Sequence, residues 1–175
     1  MAVDVRDPSA FAMKEVPIPE AGPGEVRIKV GAAGVCLSDV HMIAGLRSPR
    51  MLAQNAGQDR TLGHEVAGSV DQIGPSVEGW SEGDRVTLQA VRYTSHGIDT
   101  MGVDYDGGWA PYVVVPADVL VPIPDSMPFD QACIIPDAVS TPWAAICESG
   151  KVEAGQAAGV WGIGGLGVHA IQLLR

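Results

Sequence analysis

The sequence predicts a mainly β fold with short helices placed late, followed by the opening of an α/β unit. Three observations carry this. Gly and Pro are abundant, 22 and 13 of 175 residues, and they punctuate short apolar runs in a way that favours strands and turns over long helices. Residues 25–32 alternate, with Val26, Ile28 and Val30 on one side and Arg27 and Lys29 on the other, as a half-buried strand does. Residues 160–170 run from apolar residues through a glycine turn into a helix start.

Taken in order, residues 1–24 read as a strand or hairpin and then a proline-rich crossing, because Pro17, Pro19 and Pro23 forbid helix. The strand at 25–32 follows. Gly31 and Gly34 then let the backbone turn toward Cys36. Residues 38–44 suit a short helix with Ser38 as N-cap and Gly45 beyond its end. Residues 47–60 are polar and read as a surface loop, with an overhang on a pocket as the alternative. A strand returns over 64–73, interrupted by Gly68. Gly83-Asp84-Arg85-Val86 turns into another that runs to about Val91. Residues 92–108 are expected to be irregular, 109–115 and 119–121 to be strands, and 131–135 and 142–147 to be helical, ended by Gly150.

Composition narrows the classes. The chain is 46% hydrophobic and 18% charged, enough for one sizeable core. A formal net charge of −10 argues against nucleic acid or an anionic membrane as partner, since both would repel it. Cys36, Cys133 and Cys147 are an odd number with no disulfide spacing, which points to a reducing cytoplasm. No stretch approaches the ~18 apolar residues of a membrane span, and the first residues have no apolar signal region.

The chemistry concentrates in residues 36–65. A thiol at Cys36 and an imidazole at His64 together suit zinc better than magnesium or calcium, which prefer oxygen. Asp39 and Glu65 stand beside them as carboxylates that can take the other ring N–H of a metal-bound histidine. Ser38 and His41 lie within one helical turn of each other and can relay a proton. Each residue alone reads more simply as packing or local hydrogen bonding.

The combination C-x-x-D-x-H, then G-H-E-x-x-G, resembles the zinc-dependent medium-chain alcohol dehydrogenases. Gly83-Asp84-Arg85-Val86 and Asp106-Gly107-Gly108-Trp109-Ala110-x-Tyr112 follow in the family's order. The resemblance implies a GroES-like, partly open β-barrel as the catalytic zinc domain over residues 1–150. Residues 151–175 would then begin an NAD(P)-binding Rossmann domain, its first strand and helix only, with Gly162, Gly164, Gly165 and Gly167 in the pyrophosphate turn.

A catalytic zinc needs three protein ligands and an open position; alcohol dehydrogenase is itself the standard instance of a Cys₂His site. The family places the third ligand four residues before a Thr, which here is Asp137 before Thr141. Cys133 is the alternative ligand, with core packing as its simpler role, and Asp137 would otherwise cap a helix from Ala138. Relatives often carry a structural zinc on four close cysteines. Residues 87–108 hold none, and His96 reads as a loop residue, so one zinc is expected.

The resemblance further implies hydride transfer between an alcohol and NAD or NADP. Cys36, His64 and Asp137 would hold zinc, Ser38 and His41 would move the proton, and Glu65 would tune the metal. Asp39 would orient His64, and Trp109 would wall the substrate pocket. It implies a small-molecule alcohol or carbonyl substrate and a homo-oligomer in a longer form. The sequence reaches only the start of the dinucleotide fold, so a fragment and a natural truncation are both open. A non-catalytic zinc-binding module and a zinc-free quinone-type reductase are the alternatives.

Overall fold

The computed structural model describes residues 2–4, 11–44, 59–95 and 97–175. His96 and most of the polar loop, residues 45–58, lie outside them, and with them the readings made there. An antiparallel five-stranded sheet dominates, in the order β8-β2-β4-β5-β9. Its strands are β2 (Glu25–Ala33), β4 (Val66–Ile73), β5 (Arg85–Leu88), β8 (Tyr112–Pro116) and β9 (Leu120–Pro122). β1 (Ala2–Asp4) pairs with β3 (Asp59–Thr61), and β6 (Val91–Thr94) pairs with β7 (Gly97–Thr100). The sheet is open, as expected of a partly open barrel.

Alternation decides what each face of the sheet does. Val26 and Ile28 of β2, Val66 and Val70 of β4, Val86 and Leu88 of β5, and Val113 and Val115 of β8 meet in one buried core. Ala67, one residue from Val66, faces the other way and packs on Ala132 and Cys133. Cys133 is therefore a core residue. Opposite Gly68, β2 bulges between Val30 and Ala32, and the Phe129 ring fills the space where Gly31 would carry a Cβ.

The helices are α1 (Leu37–Ile43), α2 (Phe129–Ala132), α3 (Ser140–Trp143) and α4 (Gly165–Leu173). Two π-helical turns, Ile135–Val139 and Ala144–Ser149, flank α3. This corrects the two separate helices expected over 131–135 and 142–147. Pro136 and Pro142 have no N–H to give an α-helical ladder, and the chain stays helical by widening at the turns beside them.

Residues 92–108 are not irregular throughout: β6 and β7 form a hairpin there, closed by the positive φ of Gly97 (126°). Its strands are short and largely exposed, so no apolar alternation announces them. The strand expected near Val160 is also missing. Residues 156–164 carry no ladder, since no strand among the described residues lies beside them to accept their backbone bonds.

Candidate metal centre

The site is built where two loops leave the sheet side by side. After β2, Gly34 N–H donates to the Glu65 carbonyl at 2.7 Å, and the Glu65 side chain sits against the bare Cα of Gly34. Any side chain at residue 34 would push the two loops apart.

α1 is capped two residues before the expected Ser38. Cys36 is the N-cap, and Asp39 closes a capping box by accepting Cys36 N–H at 3.0 Å through Oδ2. The correction is informative, because a sulfur at the cap leaves Sγ at the helix mouth, 3.5 Å from Ser38 Oγ. Asp39 is fully buried, and its Oδ1 accepts Gly63 N–H at 3.3 Å and lies 3.4 Å from His64 Nδ1. One carboxylate thus ties the Cys36 loop to the His64 loop.

The His64 loop is pinned from its other side. Gly107, Gly108 and Trp109 donate backbone N–H groups to Thr61, Gly63 and Leu62 in turn. Gly63 adopts φ +95°, which only glycine takes easily, and the Trp109 ring occupies the space a Cβ would need. Trp109 Nε1 donates to the Gly34 carbonyl at 2.9 Å, and its ring meets Phe11 edge-on. Trp109 therefore braces both ligand loops, and it also lines a pocket of about 480 Å³ with Met13, Val16 and Pro111, separate from the cleft described next.

Asp137 comes from the first π-helical turn. Its Oδ2 lies 3.3 Å from His64 Nε2, and its Oδ1 accepts from Thr141 Oγ1 at 2.8 Å. Ligand atoms of Cys36, His64 and Asp137 all lie within 4.8 Å of one another. With bonds near 2.0–2.1 Å, the edge of a tetrahedral zinc site is roughly 3.4 Å, so the 3.3 Å His64–Asp137 separation suits ligands of one ion. Both His64 nitrogens face carboxylates, Nε2 on the ligand side and Nδ1 toward Asp39. Metal-bound histidines are commonly held this way. The donor set and spacing fit zinc.

The same closeness governs ionisation. Burial pushes the His64 ring toward neutrality, but the carboxylates of Asp137 and Asp39 beside it outweigh that and raise its pKa to about 11. The His64 bond, against burial, holds Asp137 down at about 2. Burial and the nearby Asp137 charge push the Glu65 carboxyl up, while the Ala138 amide donating to it acts the other way.

A cleft of about 600 Å³ opens over the cluster, lined among others by Ser38, His64, Asp137, Thr141, Tyr93 and Trp143. His41 is exposed one helical turn beyond Ser38 and is not among the lining residues. In the sequence Thr141 marks the position four residues after Asp137. Its bond to Asp137 gives it a role, and its spacing of four residues was the available signal.

Gly164 caps α4, and Gly162 turns at φ +90°. A Cβ at Gly162, Gly164 or Gly165 would meet nothing, whereas one at Gly167 would strike the Gly162 carbonyl. Gly167 lets helix and turn close up, and the other three present bare backbone.

An open antiparallel sheet flanked by a Cys–His–Asp cluster that could hold a metal ion sets the class in which relatives are sought. The family model described as the alcohol dehydrogenase GroES-like domain matches residues 22–125, and the chain belongs to that family. It is 31% identical to (R,R)-butanediol dehydrogenase of Bacillus subtilis, over 90% of this chain and 49% of the relative. It is 32% identical to an alcohol dehydrogenase of Geobacillus stearothermophilus, over 93% of this chain and 51% of the relative. The cobalt- and zinc-bound thermostable alcohol dehydrogenase of Pyrobaculum aerophilum superposes with a TM-score of 0.84 at 28% identity, covering 99% of this chain and 54% of that one. The chain spans about half the length of these relatives. Among the described residues no helix is long and apolar enough to cross a membrane.

Proposed function

We propose that residues 1–150 are the zinc-holding catalytic domain of an alcohol dehydrogenase, and that residues 151–175 open its dinucleotide-binding domain. The observation that carries this is the meeting of Cys36, His64 and Asp137, far apart in sequence, within 4.8 Å. Bound there, zinc would act as a Lewis acid that acidifies an alcohol hydroxyl and, in reverse, polarises a carbonyl. NAD or NADP would carry the hydride, with its pyrophosphate at Gly162, Gly164, Gly165 and Gly167.

The chain's own residues do the rest. Ser38 Oγ, at the cleft, takes the alcohol proton, and the exposed His41 ring passes it to water. Asp39 fixes the His64 tautomer so that Nε2 is the ligating atom. Glu65, buried behind Gly34, tunes the charge around the metal. A single catalytic zinc with no structural one, a small alcohol or carbonyl substrate, a cytoplasmic setting and homo-oligomeric assembly complete the proposal.

Metal analysis and an alcohol-dependent NAD(P) reduction assay test it. One zinc per chain, lost in Cys36→Ser and Asp137→Ala, with reduction of NAD(P) by alcohols, is the expected result. Zinc without turnover, in a protein containing the whole dinucleotide fold, would leave a non-catalytic zinc module. A protein purified without metal that reduces quinones would support the zinc-free reductase instead.

A further inference from the structure

The two oxygens of Asp137 are used differently. Oδ2 faces His64 Nε2 on the side where Cys36 Sγ also converges. Oδ1 is held by Thr141 Oγ1 at 2.8 Å. This bond is not what a helical threonine ordinarily makes. Ser and Thr inside helices usually turn back to the carbonyl four residues earlier. The adjacent Ser140 does so, donating to the Pro136 carbonyl at 2.5 Å. Thr141 instead donates to the side chain four residues back. The two residues sit where the first π-helical turn passes into α3, and that passage sends one hydroxyl to backbone and the other to a carboxylate.

A carboxylate can bind a metal through one oxygen or through both. Bidentate binding by Asp137 would add a fourth protein donor to Cys36 and His64 and fill the position a substrate oxygen needs. We propose that Thr141 is a positioning residue that reserves Oδ1, restricting Asp137 to one ligating oxygen and keeping a coordination position open. The inference rests on the metal site proposed above. Its chemistry needs no proton loss by Asp137, only a donor hydroxyl in fixed geometry.

Cobalt substitution tests it, because Co²⁺ reports ligand identity and coordination number separately. The protein is stripped of metal, loaded with Co²⁺ and compared with Thr141→Val, Thr141→Ala and Thr141→Ser. Thr141 is exposed on the cleft wall, so these changes leave the fold intact by circular dichroism. The expected result for valine and alanine is an unchanged thiolate-to-cobalt band from Cys36 with altered d–d bands, as a second carboxylate oxygen takes the position left open to solvent. Azide, as a probe of the open position, should bind about 10-fold more weakly, in line with the effect of removing outer partners of metal ligands. Serine, which keeps the donor, should restore both signals. Unchanged d–d bands and azide affinity in valine and alanine overturn the role of Thr141 and leave the site standing. Absence of the thiolate band in the unsubstituted protein overturns the site and this inference together.

Discussion

Two glycine-rich regions of this chain behave in opposite ways. Around the metal centre, Gly34, Gly63, Gly107 and Gly108 are bare because other protein atoms occupy the space of their missing side chains. At the turn into α4, a Cβ at Gly162, Gly164 or Gly165 would meet no protein atom. Both regions are loops of similar composition, yet one is filled and the other presents open backbone. Glycine at a packing contact secures a fixed geometry, and glycine facing open space permits close approach by something outside the protein. The comparison suggests that the first region sets stability and metal geometry, and the second sets ligand access.

The sharpest way to break the comparison is to add a methyl group in the filled region. In Gly107→Ala the new Cβ would overlap the backbone carbonyls of Gly63 and Leu62. Neither can retreat without moving His64, the next residue along. A loss of about 3 kcal/mol in denaturant unfolding is expected, together with reduced zinc content. Wild-type stability and full metal loading in this variant would mean that the clamp on the His64 loop is slack.

Asp39→Asn should have the next largest effect. The carboxylate is fully buried and serves Cys36 N–H, Gly63 N–H and the His64 ring. An amide keeps the shape but presents one acceptor oxygen where two are used. About 2 kcal/mol of stability should be lost, and zinc affinity should fall 10–100-fold. A variant that loses stability but holds zinc as tightly as before would limit Asp39 to capping α1.

Much of this was legible in the sequence, and where it was not the reason is physical. The β2 alternation could be read because side-chain period is a local property, whereas Asp137 was reached only through the resemblance of the paired motifs and of its spacing to Thr141. The Cys36 cap was missed because sulfur is a rare capping atom and Ser38 a common one. The π-helical turns were missed because Pro136 and Pro142 signal interruption without saying how it resolves. That the Trp109 indole also braces the Gly34 loop could not be read, because the carbonyl it donates to is 75 residues away.

Acidity offers a third, intermediate effect. His64 has its pKa raised from 6.5 to about 11, so in metal-free protein its bridge to two carboxylates contributes fully below pH 6.5 and is lost as pH rises through about 11. Asp137, lowered from 3.8 to about 2, contributes above 3.8 and loses that contribution as pH falls through about 2. Glu65, raised above 4.5, adds a loss as pH climbs past its ordinary value. Metal-free protein should therefore be most stable in mildly acid solution. Zinc needs both the neutral imidazole and the thiolate, so its uptake at neutral pH should release up to two protons, one from His64 and one from Cys36, and tighten as pH rises. Calorimetry in buffers of different ionisation enthalpy counts the protons. Release of one proton or none would mean that His64 is not held protonated before the metal arrives.

The smallest effect on stability is expected in the open region, and it is where the comparison is most exposed to test. Gly165 is the first residue of α4, and a Cβ there touches nothing in the protein. Gly165→Ala also gains helix propensity, so stability should change by no more than about 0.5 kcal/mol. If the bare backbone exists for a pyrophosphate, the same methyl group should weaken NADH binding, in a protein containing the whole dinucleotide fold, by about 10-fold or more, read by nucleotide fluorescence. Gly107→Ala should show the reverse profile, a large stability loss with little change in nucleotide affinity once corrected for the folded fraction. Should Gly165→Ala destabilise the protein as much as Gly107→Ala, the space beside Gly165 is filled by protein in solution. The distinction between the two kinds of glycine then fails.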